Sequence, residues 1–278
     1  MLFEIDHLTH YHYSTPVRLG EQLLRFLPRD CAAQQPLVEQ VAIDPLPISR
    51  VAVRDEWDNR IERVRFADET DHLDIRVHLE VATLERPPAA WQGNLHLPID
   101  YAEQAGAVAP YLLPLENPAL LESFVRPMLV NSQAYAPDFL ASLNQAIHAF
   151  YHCGVRLEGA AQRPAETLAR GGGVCRDLTL LFMAACRQAG LAARFVSGYQ
   201  QGDGFRQQRF LHAWAEVCLP GAGWLGYDPT HNAIVGSEHI AIAAAANQAA
   251  TMPLQGGYTF AGARLTSTLD TDIRITTR

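Results

Sequence analysis

Residues 73–84 read LDIRVHLEVATL, and apolar side chains fall on alternate positions through almost the whole stretch. A two-residue period puts Leu73, Ile75, Val77, Leu79 and Val81 on one side of an extended chain and Asp74, Arg76, His78 and Glu80 on the other. A helix would scatter both sets around its circumference. The segment therefore belongs in a sheet with one face buried and one wet, a habit of antiparallel sheets. Residues 8–13, rich in Thr and aromatics, and the alternating residues 61–66 read the same way. Trp57-Asp58-Asn59-Arg60 reads as a turn between strands. Residues 1–85 are thus expected to form a β-rich, sandwich-like domain.

The texture then changes twice. Residues 86–118 carry Pro87, Pro88, Pro98, Pro110, Pro114 and Pro118, the composition of a joint. From 119 the spacing turns helical. Residues 119–126 suggest a short helix that Pro127 should end or kink. Residues 138–152 suggest a longer one, with Leu143, Ile147 and Phe150 on one side, and 164–168 another short one. Residues 175–189 (CRDLTLLFMAACRQA) make the strongest helix in the chain, with Gly190 as its stop. Strands follow at 193–199, 211–219 and 224–228, separated by glycine-containing turns at 202–204 and 220–223, and the tail at 264–275 suggests a last strand. The expectation for 119–278 is an α+β core with a C-terminal β extension.

The balance of charge excludes one large class of function. With a net charge of −8, the chain lacks the basic surface that displaces counterions from nucleic acid. No run of apolar residues approaches a membrane span, and residues 1–7 show no basic stretch followed by an apolar one. The cysteines are Cys31, Cys153, Cys175, Cys186 and Cys218, odd in number, widely spaced and without a CxxC pair. That pattern suits reduced thiols and a cytoplasmic protein, with no metal and no cofactor expected.

Three short motifs carry chemistry. Gly171-Gly172-Gly173-Val174-Cys175 runs a glycine loop into the apolar helix and sets a cysteine in its first turn, where unpaired backbone N–H groups favour negative charge. Leu211-His212-Ala213-Trp214-Ala215-Glu216-Val217 sets His212, Trp214 and Glu216 on one face of a strand. Asp228-Pro229-Thr230 closes the next strand, from which a carboxylate can orient an imidazole. Taken singly, each has a structural explanation: a buried cysteine, a hydrogen-bonded histidine, an Asp-Pro turn.

Together they resemble the transglutaminase-like superfamily, whose pattern is a Gly-x-Cys helix start, then His-Ala-Trp with a nearby Glu, then Asp-Pro-Thr. Residues 190–199 are similar to the family's helix-to-strand stretch. His7, Thr9, Tyr11, Tyr13, Pro16-Val17 and Leu27-Pro28-Arg29 are similar to the β-rich N-terminal region of its bacterial members. The resemblance implies a papain-like core in which the cysteine helix packs on an antiparallel sheet. It implies a triad of Cys175, His212 and Asp228 acting on the amide bonds of a peptide or protein substrate through a thioester, by hydrolysis or by acyl transfer. The alternative is a non-catalytic interaction module on the same core.

Trp214, Arg176, Asp177 and Tyr199 are candidates for the substrate cleft, and Arg194 joins Tyr199 there through the resemblance alone. Asp177 also suits the positive end of the helix dipole, and Arg176 would add positive charge beside a thiolate. The chain departs from its relatives at Leu180, where they often carry His, and around Ala246-Asn247-Gln248, where they are often acidic. His10 and His12, with His7 nearby, share a strand but lack evident partners for a metal.

Overall fold

The computed structural model describes residues 1–85, 94–150, 156, 160–202, 209–262 and 264–278. The chain begins with β1 (Leu2–Leu19), β2 (Gln22–Leu24), β3 (Gln34–Asp44), β4 (Ser49–Arg54), β5 (Arg60–Arg65) and β6 (Glu69–Thr83). Helices follow: the single-turn α1 (Ala105–Val108), then α2 (Pro118–Asn131), α3 (Ala136–His148), α4 (Pro164–Arg170) and α5 (Cys175–Gln188). The last strands are β7 (Ala193–Gln200), β8 (His212–Leu219), β9 (Gly223–Asp228), β10 (Ala233–Ile234), β11 (His239–Ala245), β12 (Leu254–Gln255), β13 (Tyr258–Thr259) and β14 (Ser267–Thr277).

The alternation at 73–84 becomes β6, which pairs antiparallel with β1 and, on its other edge, with β3. Its residues 73, 75, 77, 79 and 81 are buried, as the period requires. The pairing of β1 with β6 slips between His12 and Val17, where Pro16 has no N–H to give the ladder. A second sheet of order β12-β2-β5-β4 completes the β-rich region. The turn expected at Trp57-Asp58-Asn59-Arg60 joins β4 to β5, with Asp58 in the left-handed conformation.

The tail departs from its expected grouping with the core. β14 pairs with β1 from Phe3 to Tyr13, while β13 and β12 extend the N-terminal sheets. An antiparallel strand needs an open edge with a matching apolar face. The outer edge of β1 offers both, and Ile273 is buried there. The expected helix stop at Pro127 also differs. Pro127 lies inside α2, which Asn117 caps through the Ala119 N–H and which packs Leu121, Val125, Met128 and Leu129 against the core on both sides of the proline. Packing outweighs the one hydrogen bond that proline forfeits. The pair Pro87-Pro88, residues 151–153 with Cys153, and the turn at 203–204 lie outside the described residues.

The third sheet, of order β10-β9-β8-β7-β11, is antiparallel throughout, and α5 packs on it. Leu178, Leu181, Phe182 and Ala185 of α5 meet Ala213, Ala215 and Val217 of β8 and Tyr227 of β9 in one buried cluster. Both faces of β8 are covered, so from Ala213 to Leu219 it is buried at every position.

β11 is the seam between the two halves. Ile240 and Ile242 share a buried cluster with Phe3, Ile5 and Leu79 from the N-terminal sheets. Its free edge is closed by side chains: Gln34 bonds both the N–H and the C=O of Ala241, and Asn59 accepts from the Ala244 N–H at 2.7 Å. Arg29 donates to the Ala244 carbonyl at 3.1 Å. These bonds satisfy edge groups that would otherwise be buried without partners. None of the described helices is long and apolar enough to cross a membrane.

Candidate active site

The glycine run before α5 is a spacing device. Gly171 ends α4 in the left-handed conformation (φ 63°), which a Cβ would strain. Gly173 lies against the helix, where any Cβ would stand 2.7 Å from the Cβ of Asp177. Asp177 has no exposed surface. It accepts from the Val174 N–H at 3.0 Å, the Gln162 N–H at 2.8 Å and the Arg156 guanidinium at 2.5 Å. The carboxylate therefore ties the segment before the helix to its first turn and holds the backbone on which Cys175 sits. Gly173→Ala is expected to lower stability by about 1–3 kcal/mol through overpacking. An unchanged midpoint in chemical denaturation would show that the loop yields freely.

His212 opens β8 with its side chain 11% exposed. Its Nε2 lies 2.7 Å from Asp228 Oδ2. The Cys175 thiol raises the proton affinity of the same imidazole; with Nε2 committed to Asp228, Nδ1 is the nitrogen left to serve the sulfur. Asp228 ends β9 and is fully buried. Its Oδ1 accepts from the Thr230 N–H at 2.9 Å, so the Asp-Pro turn and the carboxylate's aim are one feature. Its Oδ2 also meets His231 Nδ1 at 2.7 Å and His239 Nε2 at 3.1 Å. An ionised carboxylate only accepts, so each nitrogen facing it carries a proton.

Electrostatics follow from this geometry. Burial alone pushes His212 down and is the largest single effect. The Asp228 charge and hydrogen bond, with a contribution from Cys175, outweigh it and hold the imidazole at about 10. Burial works against an ionised Asp228 as well. The three imidazoles overcome that and keep the carboxyl well below its ordinary range. His239 goes the other way: burial pulls it below its ordinary value despite Asp228, so it stands as a neutral donor. The Trp214 ring lies nearly parallel to His212, centroids 6.3 Å apart, and meets His239 edge-on at 5.1 Å. Gly198 on β7 gives that indole its room, since a Cβ there would stand 2.6 Å from the ring.

Two family models match this chain. The bacterial transglutaminase-like N-terminal region matches residues 3–82, and the transglutaminase-like superfamily matches residues 131–229, a stretch that contains Cys175, His212 and Asp228. The chain belongs to the transglutaminase-like superfamily. The fold agrees. The structure of "a Putative Cysteine Protease from Cytophaga hutchinsonii" superposes with a TM-score of 0.78 at 18% identity, covering 99% of this chain and 90% of the other. Uncharacterized proteins of Mycobacterium tuberculosis and Mycobacterium bovis are 26% identical over 272 residues, 91% of this chain and 86% of theirs. One from Mycobacterium leprae is 30% identical over 109 residues, 37% of each chain.

Within this transglutaminase-like core, the three residues singled out by motif come together. The cleft candidates do not. Tyr199 has no exposed surface and points to the N-terminal half, where its hydroxyl bonds His7 Nδ1 at 2.9 Å. Burial drives His7 down to about 4, so this contact is between neutral groups and belongs to the junction. Trp214 is 1% exposed and packs with Val196, Val235 and Ala241. Asp177 is the buried tie described above. Each is covered because both faces of its element are packed. Arg176 is partly exposed and donates to the Arg156 carbonyl at 2.7 Å. Arg194 pairs with Glu216 at 2.6 Å and lies over Trp224. Among the N-terminal histidines, His7 bonds Tyr199 and Thr9, and His10 bonds Asp74.

Two residues escaped the sequence. His231 follows Asp-Pro-Thr directly, so a turn that folds back on its own aspartate was the available signal. His239 carries none, because its contact with Asp228 exists only once β11 has joined β7.

Proposed function

We propose that this chain is a cysteine-nucleophile hydrolase that cleaves amide or peptide bonds through a thioester acyl-enzyme. The observation that carries the reading is the buried His212–Asp228 pair, with Nε2 committed to the carboxylate at 2.7 Å and the Cys175 thiol acting on the same ring. An imidazolium beside a thiol favours the thiolate, the reactive form. Cys175 Sγ attacks the carbonyl carbon, and the thiol proton resides on His212 Nδ1. The negative charge on the carbonyl oxygen faces the N–H groups of the first turn of α5. Collapse of that intermediate breaks the C–N bond, and His212 gives its proton to the departing amine. Water activated by His212 then releases the acid and restores the thiol. An amine in place of water would give acyl transfer by the same steps.

The burial of the pair supports this reading, since Asp228 is fully buried and the His212 side chain is 11% exposed. The partner it implies is a peptide or protein substrate. The test is to trap the acyl-enzyme from a peptide library and locate the adduct by mass spectrometry. An adduct on Cys175 is expected, together with alkylation of Cys175 ahead of Cys186 and Cys218, whose thiols burial pushes up. Cys175 alkylating no faster than the exposed Cys31, with no adduct formed, would instead favour an interaction module.

A further inference from the structure

Asp228 carries more histidines than a triad uses. His212 alone orients and relays, yet His231 and His239 also place ring nitrogens on the same oxygen. Both lie beyond residues 131–229, the stretch that the superfamily model matches. One nitrogen each from His212 and His231 and an Asp228 oxygen all lie within 4.8 Å of one another, and they form the only such group of three among the described residues.

We propose that His212, Asp228 and His231 form an inhibitory binding site for a borderline transition-metal dication, with Zn2+ as its representative.

The donor set fits that chemistry: two imidazole nitrogens and one carboxylate oxygen leave a fourth tetrahedral position for water. Hard cations such as Mg2+ prefer all-oxygen shells and do not match it. The nitrogens sit 2.7 Å from the oxygen, so an ion bonded at about 2.0–2.2 Å to each ligand needs only small side-chain shifts to enter among them. Access is available, because the His231 side chain is 37% exposed while Asp228 is sealed. The His231 ring stands edge-on to His212 with centroids 5.2 Å apart.

His239 is not the third nitrogen ligand. Its Nε2–H donates to Asp228, and its Nδ1 has no hydrogen-bond partner among the described residues. To ligate through Nε2, the ring would have to move its proton to Nδ1, where no acceptor waits. His239 therefore keeps donating to the carboxylate and anchors it.

Inhibition follows from proton bookkeeping, and this consequence rests on the hydrolase reading above. The ion takes the Nε2 lone pair of His212 and the Nδ1 lone pair of His231; the His212 Nε2 proton passes to solvent, and His231 carries its proton on Nε2 instead. The bound His212 ring keeps one proton, on Nδ1; giving it to the departing amine would leave a metal-bound imidazolate in place of a neutral ring, so His212 no longer serves as the acid. The acid step is lost whether or not the ion blocks the cleft.

The experiment uses full-length, tag-free chain carrying Cys175→Ala, so that the thiol is not a ligand and binding is read apart from activity. Zinc chloride is titrated by calorimetry, and the His212 ring signals are followed by NMR. One saturable Zn2+ per chain is expected, with shifted His212 signals. His231→Ala is expected to weaken binding about tenfold or more, and magnesium to leave the His212 signals unmoved. Absence of saturable zinc binding, or a site as tight in folded His231→Ala, overturns the proposal. With Cys175 restored, zinc is expected to slow peptide turnover about tenfold or more, the loss due when the leaving amine is deprived of its acid. A bound ion that leaves turnover unchanged would overturn the inhibitory role while leaving the hydrolase reading intact.

Discussion

Cys175→Ala is expected to lower turnover of the trapped peptide by about 10^5-fold or more, because the covalent route disappears with the sulfur. The fold should survive. Cys175 sits at the first position of α5 and only partly contributes to the buried cluster beneath it, so Ala removes one sulfur atom and keeps helix propensity. The contrast with Cys186 is instructive. That thiol is wholly buried in the same helix, so its replacement by Ala should change stability far more than rate. Turnover and denaturation midpoint measured on both variants separate the roles. A Cys175→Ala protein within tenfold of wild type would rule out the thioester route.

Asp228→Asn is expected to cost about 10^3- to 10^4-fold in turnover and to move the titration of His212. In the parent protein the imidazole titrates at about 10, against an ordinary value of 6.5. Remove the carboxylate's charge and burial is opposed only by the smaller Cys175 contribution, so the His212 midpoint should fall well below 10. The sign for stability follows. A histidine raised in the fold favours folding fully at pH below its unfolded value, and that contribution is lost as pH rises through about 10. Asp228, held low in the fold, contributes above its ordinary value of 3.8 and loses that contribution as pH falls through its depressed one. Asn should therefore destabilise the fold most between pH 3.8 and 6.5, with the effect fading as pH rises toward about 10. Asn also presents an amide that donates toward His231 and His239, which themselves donate to this position, adding a penalty for donors left unpaired. Ring-proton NMR across the pH range, beside denaturation at pH 7, checks both. A His212 midpoint still near 10 in Asp228→Asn would mean that another group holds the proton.

Much of this site was legible from residue order. The two-residue period at 73–84, the glycine run into an apolar helix, and the strands ending at Leu219 and Asp228 all express local rules. A pleat alternates side chains, a helix start needs a clear approach, and a strand stops where proline cannot pair. Those rules apply within a few residues along the chain, so the sequence reveals them. They marked Cys175, His212 and Asp228 as candidates, and the order of the three motifs carried the resemblance to the family.

Only the tertiary structure decided what surrounds those residues. Tyr199 and Trp214 have the chemistry of cleft residues, yet packing buries one against His7 and the other beneath His212 and His239. The C-terminal strand has no local mark that sends it to β1 rather than to the core sheet; an open edge at the other end of the chain determines it. His239 reaches Asp228 because Gln34, Asn59 and Arg29 of the N-terminal half close the edge of β11. Sequence encodes each residue's own preferences. The convergence of three imidazoles on one buried oxygen depends on partners up to 27 positions apart along the chain, and that distance is bridged by the sheet rather than by any local pattern.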